Sequence, residues 1–471
     1  MSALLFVVAC DSDDDPDFNP PGFNGNAVQA EGPRGTDVDL SLNLEAEAGI
    51  QSLAVSVDGG ADETIAVNSG ATSQAVTYTF SVPGDALLGS QYSLVFTLTD
   101  NEDATSTING TVTAGKLIDT PNTYAFDRAG SSTVSYGGQL DRLKHVEEIK
   151  ALLRDADGGA QITEQALLDM FANTGDNGGG NFTFTSDRQL KNKTFAPDLD
   201  DELFEGFFAA AAEASIAGAA GTMAENGTAG LIVRENSGNT ILINEKGHEF
   251  TQFVEKGLMG AVFLNQIYNT YLADGRIGDD VENTELTEGK NYTSMEHAWD
   301  EAFGYFGAPI DFTSNWPDER KSEDRFWANY STTVDGPLGT SDIIMNAYIA
   351  GRAAIVNNDL MTKNEQRDIL YENLEIVAAA TAVHYINDTL AALDEGKQGE
   401  AFHVLSEAWA FTNALRYSPR RVISLNVIAE ILDTDFGADG NFWNATPAGL
   451  NAAKGKIVAA YPVLAPVQDD L

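Results

Sequence analysis

The chain has 471 residues, of which 43% are hydrophobic and 9% aromatic, so wholesale disorder is excluded and two or three folded domains are expected. It has 27 Lys and Arg residues against 71 Asp and Glu residues, which gives a formal net charge of −44 at pH 7. A protein this acidic repels phosphate groups, so nucleic acids and anionic membrane surfaces are not expected as partners. Its single cysteine, Cys10, cannot form an intramolecular disulfide bond.

The first residues are typical of the end of a bacterial lipoprotein signal peptide. An apolar run ends in Val7-Val8-Ala9-Cys10, where a small residue precedes the cysteine that would carry the lipid. The acidic run that follows Cys10 resembles the export signal that places Bacteroidetes lipoproteins on the outer face of the outer membrane. We therefore interpret residues 1–10 as a signal remnant and expect a lipid anchor in the outer membrane and exposure on the cell surface.

The next part of the chain is predicted to be a tether followed by a β domain. Residues 11–33 are acidic and rich in Pro, Asn and Gly, which predicts a disordered tether. Short runs of alternating apolar and polar residues over 34–116 predict a β-sandwich, whose last hairpin resembles that of bacterial immunoglobulin-like modules. The turn of that hairpin contains Asp100, Glu102 and Asp103, a candidate calcium site, although Asp and Asn are also common in ordinary turns.

Residues 117–471 are rich in Ala, Leu and Glu at a spacing of 3.6 residues, which predicts an all-α domain of packed helical bundles. Helices are predicted at 139–154, 162–173, 199–224, 246–273, 294–306, 340–356, 364–394, 398–415, 420–432 and 447–460. The expected fold is therefore multidomain, with an immunoglobulin-like β-sandwich before a large helical bundle.

Two segments resemble metal-binding motifs without completing them. Asp155 and Asp157 open a segment like an EF-hand loop, but Ala166 stands where a bidentate Glu is needed, which favours a polar turn between helices. His248-Glu249 resembles the start of a zinc-protease motif, but Gln252 replaces the second histidine, so no protease site is expected.

Four of the five histidines are followed four residues later by an acid or an amide. The pairs are His248 with Gln252, His297 with Glu301, His384 with Asp388, and His403 with Glu407. Each pair shares a helix face and can offer a nitrogen and an oxygen to a metal ion. The alternative is that these histidines are partly buried and form hydrogen bonds within their own helices.

Helix 294–306 has the highest density of functional groups, and we predict a metal site there formed by Glu296, His297, Asp300 and Glu301. Further candidate ligands are His248, His403 and Glu407. The expected ligand is a divalent cation or iron. One alternative is a hydrolase that uses the Glu296 and Asp300 carboxyl groups as acid and base. The other is glycan capture by exposed aromatic residues such as Trp316, Trp327 and Trp443.

Six blocks within this part of the chain follow one another in the order of a known family. They are residues 124–126, 138–143, 247–261, 295–307, 351–355 and 405–411. Over about residues 122–465 the chain resembles the family with the domain of unknown function 4856, found in bacterial lipoproteins. The family has no established activity. Its members resemble companions of imelysin-type proteins, which are linked to iron acquisition.

The imelysin hallmark itself, Gly-x-His-x-x-Glu, is not present. His248 directly follows Gly247, and Glu249 is adjacent to the histidine. From the residues and this resemblance we expect a surface-anchored binding protein instead of an enzyme. It would take up metal or iron, or bind an outer-membrane receptor or an imelysin-like partner.

Overall fold

The computed structural model describes residues 18–25, 27–323 and 325–471. Cys10 and the acidic run after it lie outside the described residues. Internal contacts divide the chain between Asp119 and Thr120 into two compact units. The prediction of a β-rich part followed by a helical part is confirmed.

The described residues of the first unit form eight strands in two sheets. The strands are β1 (Gly22–Phe23), β2 (Val28–Pro33), β3 (Asp37–Glu45), β4 (Ile50–Val57), β5 (Glu63–Ile65), β6 (Ser73–Ser81), β7 (Gln91–Asp100) and β8 (Thr105–Gly115). One sheet has the order β1-β3-β6 and the other has the order β2-β8-β7-β4-β5. Strand β2 pairs with β8 in parallel, and the other neighbouring strands pair antiparallel.

The alternating pattern of the sequence produces the core of this unit. In β3, every second side chain from Val38 to Leu44 is buried, and the polar residues between them are exposed. Leu40 and Leu42 of the first sheet belong to the same hydrophobic cluster as Leu94 and Phe96 of the second. Burying each such side chain contributes roughly 1.5–3 kcal/mol, so this shared cluster holds the two sheets together.

The tether predicted at 11–33 is too long, because β1 and β2 lie within it. Both strands are short, with two and six residues. β1 pairs with β3 and β2 with the edge of β8, and Phe23, Val28 and Ala30 pack against the hydrophobic cluster of this unit. The β unit therefore begins earlier in the chain than the sequence predicts.

The described residues of the second unit form thirteen α-helices. They are α1 (Gly137–Asp157), α2 (Glu164–Ala172), α3 (Glu202–Ala219), α4 (Phe250–Leu258), α5 (Asp274–Ile277), α6 (Ser294–Phe306), α7 (Trp327–Thr333), α8 (Asp335–Leu338), α9 (Thr340–Asn357), α10 (Leu360–Asp394), α11 (Gln398–Ala414), α12 (Leu425–Glu430) and α13 (Pro447–Ala460). Helix α4 continues as π-helical turns over Met259–Leu264, which is buried throughout, and Ile267–Tyr271, in which Ile267, Tyr268 and Tyr271 are buried.

This unit is not all-α, which corrects the sequence prediction. It contains a small hairpin of β9 (Asp127–Arg128) with β10 (Ser131–Ser132) and a longer one of β11 (Gly230–Val233) with β12 (Thr240–Ile243). In the longer hairpin Leu231 and Ile241–Ile243 are buried. Such a short apolar run next to a polar turn is typical of a buried hairpin.

Helix α10 is the longest helix and lies against α9, α11 and α13. By length and composition it could cross a membrane, but more than half of its most apolar stretch is buried inside the protein. Such burial is also typical of the central helix of a folded domain.

Gly351 of α9 tests how closely α9 and α6 pack. A Cβ atom at this position would collide with the indole ring of the fully buried Trp299. We expect Gly351→Ala to destabilise the protein by about 1–3 kcal/mol, because the ring has no free space to move into. The free energy of unfolding in urea measures this.

The matched control is Gly206→Ala in α3, where a Cβ atom meets no atom within 4 Å. Alanine is the better helix former, so this change should stabilise the protein by roughly 0.5–1 kcal/mol. Equal effects of the two substitutions would contradict the proposed close contact.

Candidate functional site

Glu296, the first residue of the predicted metal site, is completely buried, and N–H groups of the protein donate hydrogen bonds to its carboxylate oxygens. Thr293 caps the start of α6, and its N–H donates to Glu296 Oε2 at 2.8 Å in a capping box. Arg128 donates to both carboxylate oxygens, at 2.8 and 3.2 Å. Arg352 Nη1 lies 3.2 Å from Oε1. Glu296 is thus a helix-capping residue within an ion cluster.

Asp300 lies one turn further along α6 and is equally buried. Its carboxylate accepts hydrogen bonds from Arg352 Nε at 2.9 Å, from the Tyr124 hydroxyl at 2.9 Å and from the Ser135 N–H at 3.1 Å. Burial raises the pKa of Asp300 to about 6 although Arg352 acts to lower it. Because Arg352 bridges both carboxylates inside the protein, these two acids belong to an internal ion cluster and are not a free acid and base pair.

His297 and Glu301 point to a different environment. The His297 ring stacks on Tyr292 with centroids 4.5 Å apart, and its Nε2 lies 3.8 Å from Glu301 Oε2. Glu301 accepts a hydrogen bond from Gln139 Nε2 at 2.9 Å. Both side chains are partly exposed. This pair therefore matches the alternative of a histidine paired within its own helix.

His248 is a structural residue. Its Nε2 lies 2.6 Å from the Gly440 carbonyl oxygen, and its ring stacks on Phe253 with centroids 4.6 Å apart. Burial lowers the pKa of His248 to about 4, so the ring is neutral near pH 7. The His248 ring therefore contacts the loop before α13 through Gly440, and α4 through Phe253.

The candidate calcium residues of the β unit form an ordinary turn. Asp100 Oδ1 accepts hydrogen bonds from the N–H groups of Glu102 and Ala104, at 3.0 and 2.9 Å. Asp103 bonds instead to the side chain of Gln51. These contacts match the turn alternative, because the Asp100 oxygen already satisfies the backbone of the turn.

The seven predicted metal ligands do not come together. Across the described ranges, no group of three or more His, Cys, Asp or Glu side chains is arranged to hold a metal ion. The geometric reason is that guanidinium groups occupy Glu296 and Asp300, whereas His403 and Glu407 belong to a separate network on α11. The three tryptophans of the glycan alternative are also no exposed platform, since Trp316 and Trp327 are buried and Trp443 is partly buried.

His403 and Glu407 belong to a row of buried groups with alternating charge. His403 Nδ1 lies 2.6 Å from Glu249 Oε2, and His403 Nε2 lies 3.9 Å from Glu407 Oε2. Burial acts to lower the pKa of His403, but Glu249 and Glu407 outweigh it and raise that pKa. The imidazole therefore carries a positive charge more readily than an exposed histidine.

The row continues through α4 to the surface. Lys256 Nζ lies 3.7 Å from Glu407 Oε1 and donates to Glu255 Oε2 at 2.6 Å. Lys150 of α1 donates to the other oxygen of Glu255 at 2.6 Å. Burial alone would raise the pKa of Glu255, but Lys256 and Lys150 lower it. Each charge in the row is thus held by a neighbour of opposite sign.

The inner end of this row opens into a cavity of about 480 Å³. Helix α1, hairpin β11–β12, helix α11 and the chain at the start of α4 form its walls. Its polar lining includes Arg154, Asp157, Arg234, Glu249, Gln252 and His403. We call this cavity the α1/α11 pocket. Acids, bases and an imidazole converge there from distant parts of the chain, which is typical of a functional site.

Asp157 is the acid of the pocket whose pKa is most strongly shifted. Its Oδ1 accepts the Leu242 N–H at 2.8 Å and its Oδ2 accepts the Thr251 hydroxyl at 2.8 Å. Burial, with the nearby charge of Glu249, raises the pKa of Asp157 to about 7 in spite of these bonds. The pocket therefore contains a carboxyl group that changes charge near neutral pH.

The i,i+4 spacing marks His403 and Glu407 in the sequence, but no sequence pattern marks Asp157, Glu249 or Arg154 as site residues. The sequence pattern favours a polar turn at Asp157 and only an incomplete protease motif at Glu249. Asp157 contacts Thr251, which is 94 residues away in the chain, and Glu249 contacts His403, which is 154 residues away. Only the spacing of Thr293 and Glu296, that of a capping box, could have corrected the assignment of Glu296.

A second cavity, of about 400 Å³, is lined by Tyr371, Glu375, Val422 and Tyr461 among others. Its buried acid, Glu375, accepts hydrogen bonds from the Tyr461 hydroxyl at 2.6 Å and from the Val422 N–H at 3.1 Å. Its lining is mostly apolar, and its groups are less suited to polar chemistry than those of the α1/α11 pocket.

We expect Arg352→Met to destabilise the protein by about 3–5 kcal/mol, because Asp300 would either stay charged without its cation or take up a proton in the buried site. The free energy of unfolding in urea at pH 7 measures this. The control is Arg325→Met, which removes a partly exposed pair with Glu147 and should cost less than about 1 kcal/mol. A similar decrease in the free energy of unfolding for both variants would contradict the expectation that the buried ion pairs of Arg352 matter more than an exposed pair.

The stabilising effect of His403 should depend on pH. Its pKa in the folded protein is raised above the unfolded value of about 6.5, so its contribution is complete below that pH. The contribution is then lost as the pH rises through the folded pKa. We expect His403→Gln to cost most stability near pH 6 and progressively less toward about pH 9. Urea midpoints across this range are the measurement.

His248 is a useful comparison because its pKa is lowered in the folded protein, whereas that of His403 is raised. Because its pKa is lowered to about 4, the unfolded chain binds a proton below about pH 6.5 that the folded protein does not. The stability lost on acidification toward pH 4 should therefore be smaller in His248→Gln. If His403→Gln behaved like His248→Gln in both pH ranges, the assigned charges would be wrong.

A comparison with curated proteins gives no match to this chain. A comparison with protein-family models does give one, and it covers the helical unit that contains the α1/α11 pocket. The matching model is the domain of unknown function (DUF4856), over residues 121–463. Because this match spans well over half of the chain, the protein belongs to the DUF4856 family.

Proposed function

We propose that this protein is a surface lipoprotein whose helical unit binds a small polar molecule in the α1/α11 pocket. The observation that carries the proposal is the convergence of Asp157, Glu249 and His403 on one cavity of about 480 Å³. A pocket of this size with a few converging polar groups is the usual form of a small-molecule site.

The charges of the pocket favour an organic ligand over a bare metal ion. Arg154 and Arg234 line the same cavity as the two acids, and a cation alone would be repelled by their guanidinium groups. His403 Nδ1 is bonded to Glu249, and His403 Nε2 faces Glu407 at 3.9 Å. Uptake of iron or binding of a receptor by this protein would then involve an iron-bearing organic compound or another surface.

The proposed roles of the other parts of the chain follow from their order along the sequence, in which Cys10 comes first, then the β unit and then the helical unit. Lipidation at Cys10 would anchor the protein, and the β unit would separate the helical unit from the membrane. The two sheets of that unit share one hydrophobic cluster, which supports an immunoglobulin-like β-sandwich acting as a spacer.

Four small probes of different charge test ligand binding in the pocket. They are L-alanyl-L-alanine, D-glucose, succinate and putrescine, each titrated into the purified protein while thermal unfolding is followed. We expect at least one probe to raise the unfolding midpoint, because a ligand at 100 times its Kd stabilises a protein by about 2.7 kcal/mol.

The location is tested by Asn239→Trp, which places a bulky ring at an exposed position of the pocket lining. This variant should lose the shift caused by the probe. The control, Gln165→Trp at an exposed position of α2, should keep it. No shift with any of the four probes, or an unchanged shift in Asn239→Trp, would contradict ligand binding in this pocket.

A further inference from the structure

An acid and a base that line the α1/α11 pocket lie about one helical turn apart on α1 without forming an ion pair. Arg154 and Asp157 are three residues apart and therefore neighbours on the helix surface. Neither has an ion pair within 4 Å among the residues that the structure describes, although elsewhere this acidic chain pairs its few bases with acids. Both side chains line the same cavity.

We propose that the ligand of this pocket is a zwitterion with an ammonium and a carboxylate group, namely an amino acid or a short peptide with free ends. The inference rests on the proposed function and names its ligand class. The ammonium group would bind at Asp157 and Gln252, and the carboxylate at Arg154.

Several acceptors are free for an ammonium group. Each Asp157 oxygen accepts one hydrogen bond from the protein and has a second lone pair to offer. Gln252 is only 4% exposed, and its Nε2 donates to Glu249 Oε1 at 3.2 Å. This bond fixes the direction of the amide, and its Oε1 has no hydrogen-bond partner in the described part of the chain. An ammonium group has three N–H donors, which suits this set of acceptors.

The electrostatics of this corner also indicate a missing cation. Burial and the charge of Glu249 raise the pKa of Asp157 to about 7, and Arg154 offsets them only in part. Among the described residues this carboxyl group has no positive charge in direct contact. A bound ammonium group would supply that charge and lower the pKa of Asp157. Binding at pH 7 should therefore release a fraction of a proton from the protein.

The carboxylate end of the ligand has a matching base. Arg154 is exposed at the pocket and has five N–H donors arranged to bind a carboxylate. Arg234 is partly committed, since its Nε and Nη2 donate to Glu400 at 3.2 and 2.7 Å. A dianion would meet the two acids, a dication would meet the two arginines, and a neutral sugar would leave both charges on α1 unpaired.

Isothermal titration calorimetry with matched ligands tests the proposal on the full chain. The ligands are glycine, L-alanine and L-alanyl-L-alanine, each compared with its N-acetyl and its amide derivative. At least one free zwitterion should bind, and removing either charge should weaken binding at least about 10-fold, as expected for a lost charge-assisted hydrogen bond. Titrations in buffers of different ionisation enthalpy should show proton release at pH 7.

Variants of α1 assign the two ends of the ligand. Asp157→Asn should weaken binding of the zwitterion and abolish proton release, whereas Asp155→Asn, an exposed neighbour outside the pocket, should change neither. Arg154→Gln should weaken binding of the free carboxylate form but leave the binding of the amide derivative unchanged. Because Arg154 is exposed and has no ion pair, this variant keeps the fold intact.

The outcomes separate this inference from the proposed function. If D-glucose, succinate or putrescine binds in the pocket and no zwitterion does, the ligand class is wrong and the pocket remains a binding site. Equal binding of a zwitterion and its N-acetyl derivative would also overturn the inference. If none of these compounds binds, both proposals fail.

Discussion

The shortage of positive charge is the physical constraint on which this structure depends. The protein has 71 acids and only 27 Lys and Arg residues, and two of its buried bases each contact two acids. Arg352 contacts Glu296 and Asp300, and Lys256 contacts Glu255 and Glu407. Breaking such a pair is costly because the remaining charge stays in a medium of low polarity.

This constraint links the stability of the helical unit to its candidate site. The row of alternating charges begins at Lys150 on α1, crosses α4 and ends on α11, so it ties together three of the elements that form the pocket. At its end His403 and Glu249 compensate each other. Asp157 is in the same pocket but has no ion pair within 4 Å among the described residues, and this local deficit is the feature that favours a positively charged group on the ligand.

Where the sequence predicted chemistry, the fold used the same residues for structure. Glu296 was a candidate metal ligand, but it caps α6 and pairs with Arg128 and Arg352. Glu296 and Asp300 of helix 294–306 lie in the interior of the protein, where both contact Arg352, a fully buried arginine on α9. A dense group of acids therefore does not distinguish a metal site from an internal ion cluster until the positions of the bases are known.

The sequence by itself determined the elements that depend on local periodicity. Alternation in β3 and the 3.6-residue spacing of Ser294–Phe306 and Pro447–Ala460 are properties of neighbouring residues, and the predicted bounds of these two helices agree with the structure. The i,i+4 relation of His403 and Glu407 is local in the same sense. Only the tertiary structure decided that Arg352 neutralises Asp300, that Glu249 meets His403 across 154 residues, and that Asp157 lies in a pocket. These contacts join residues far apart in the chain, and no pattern of neighbouring residues determines which distant charge will be buried beside which.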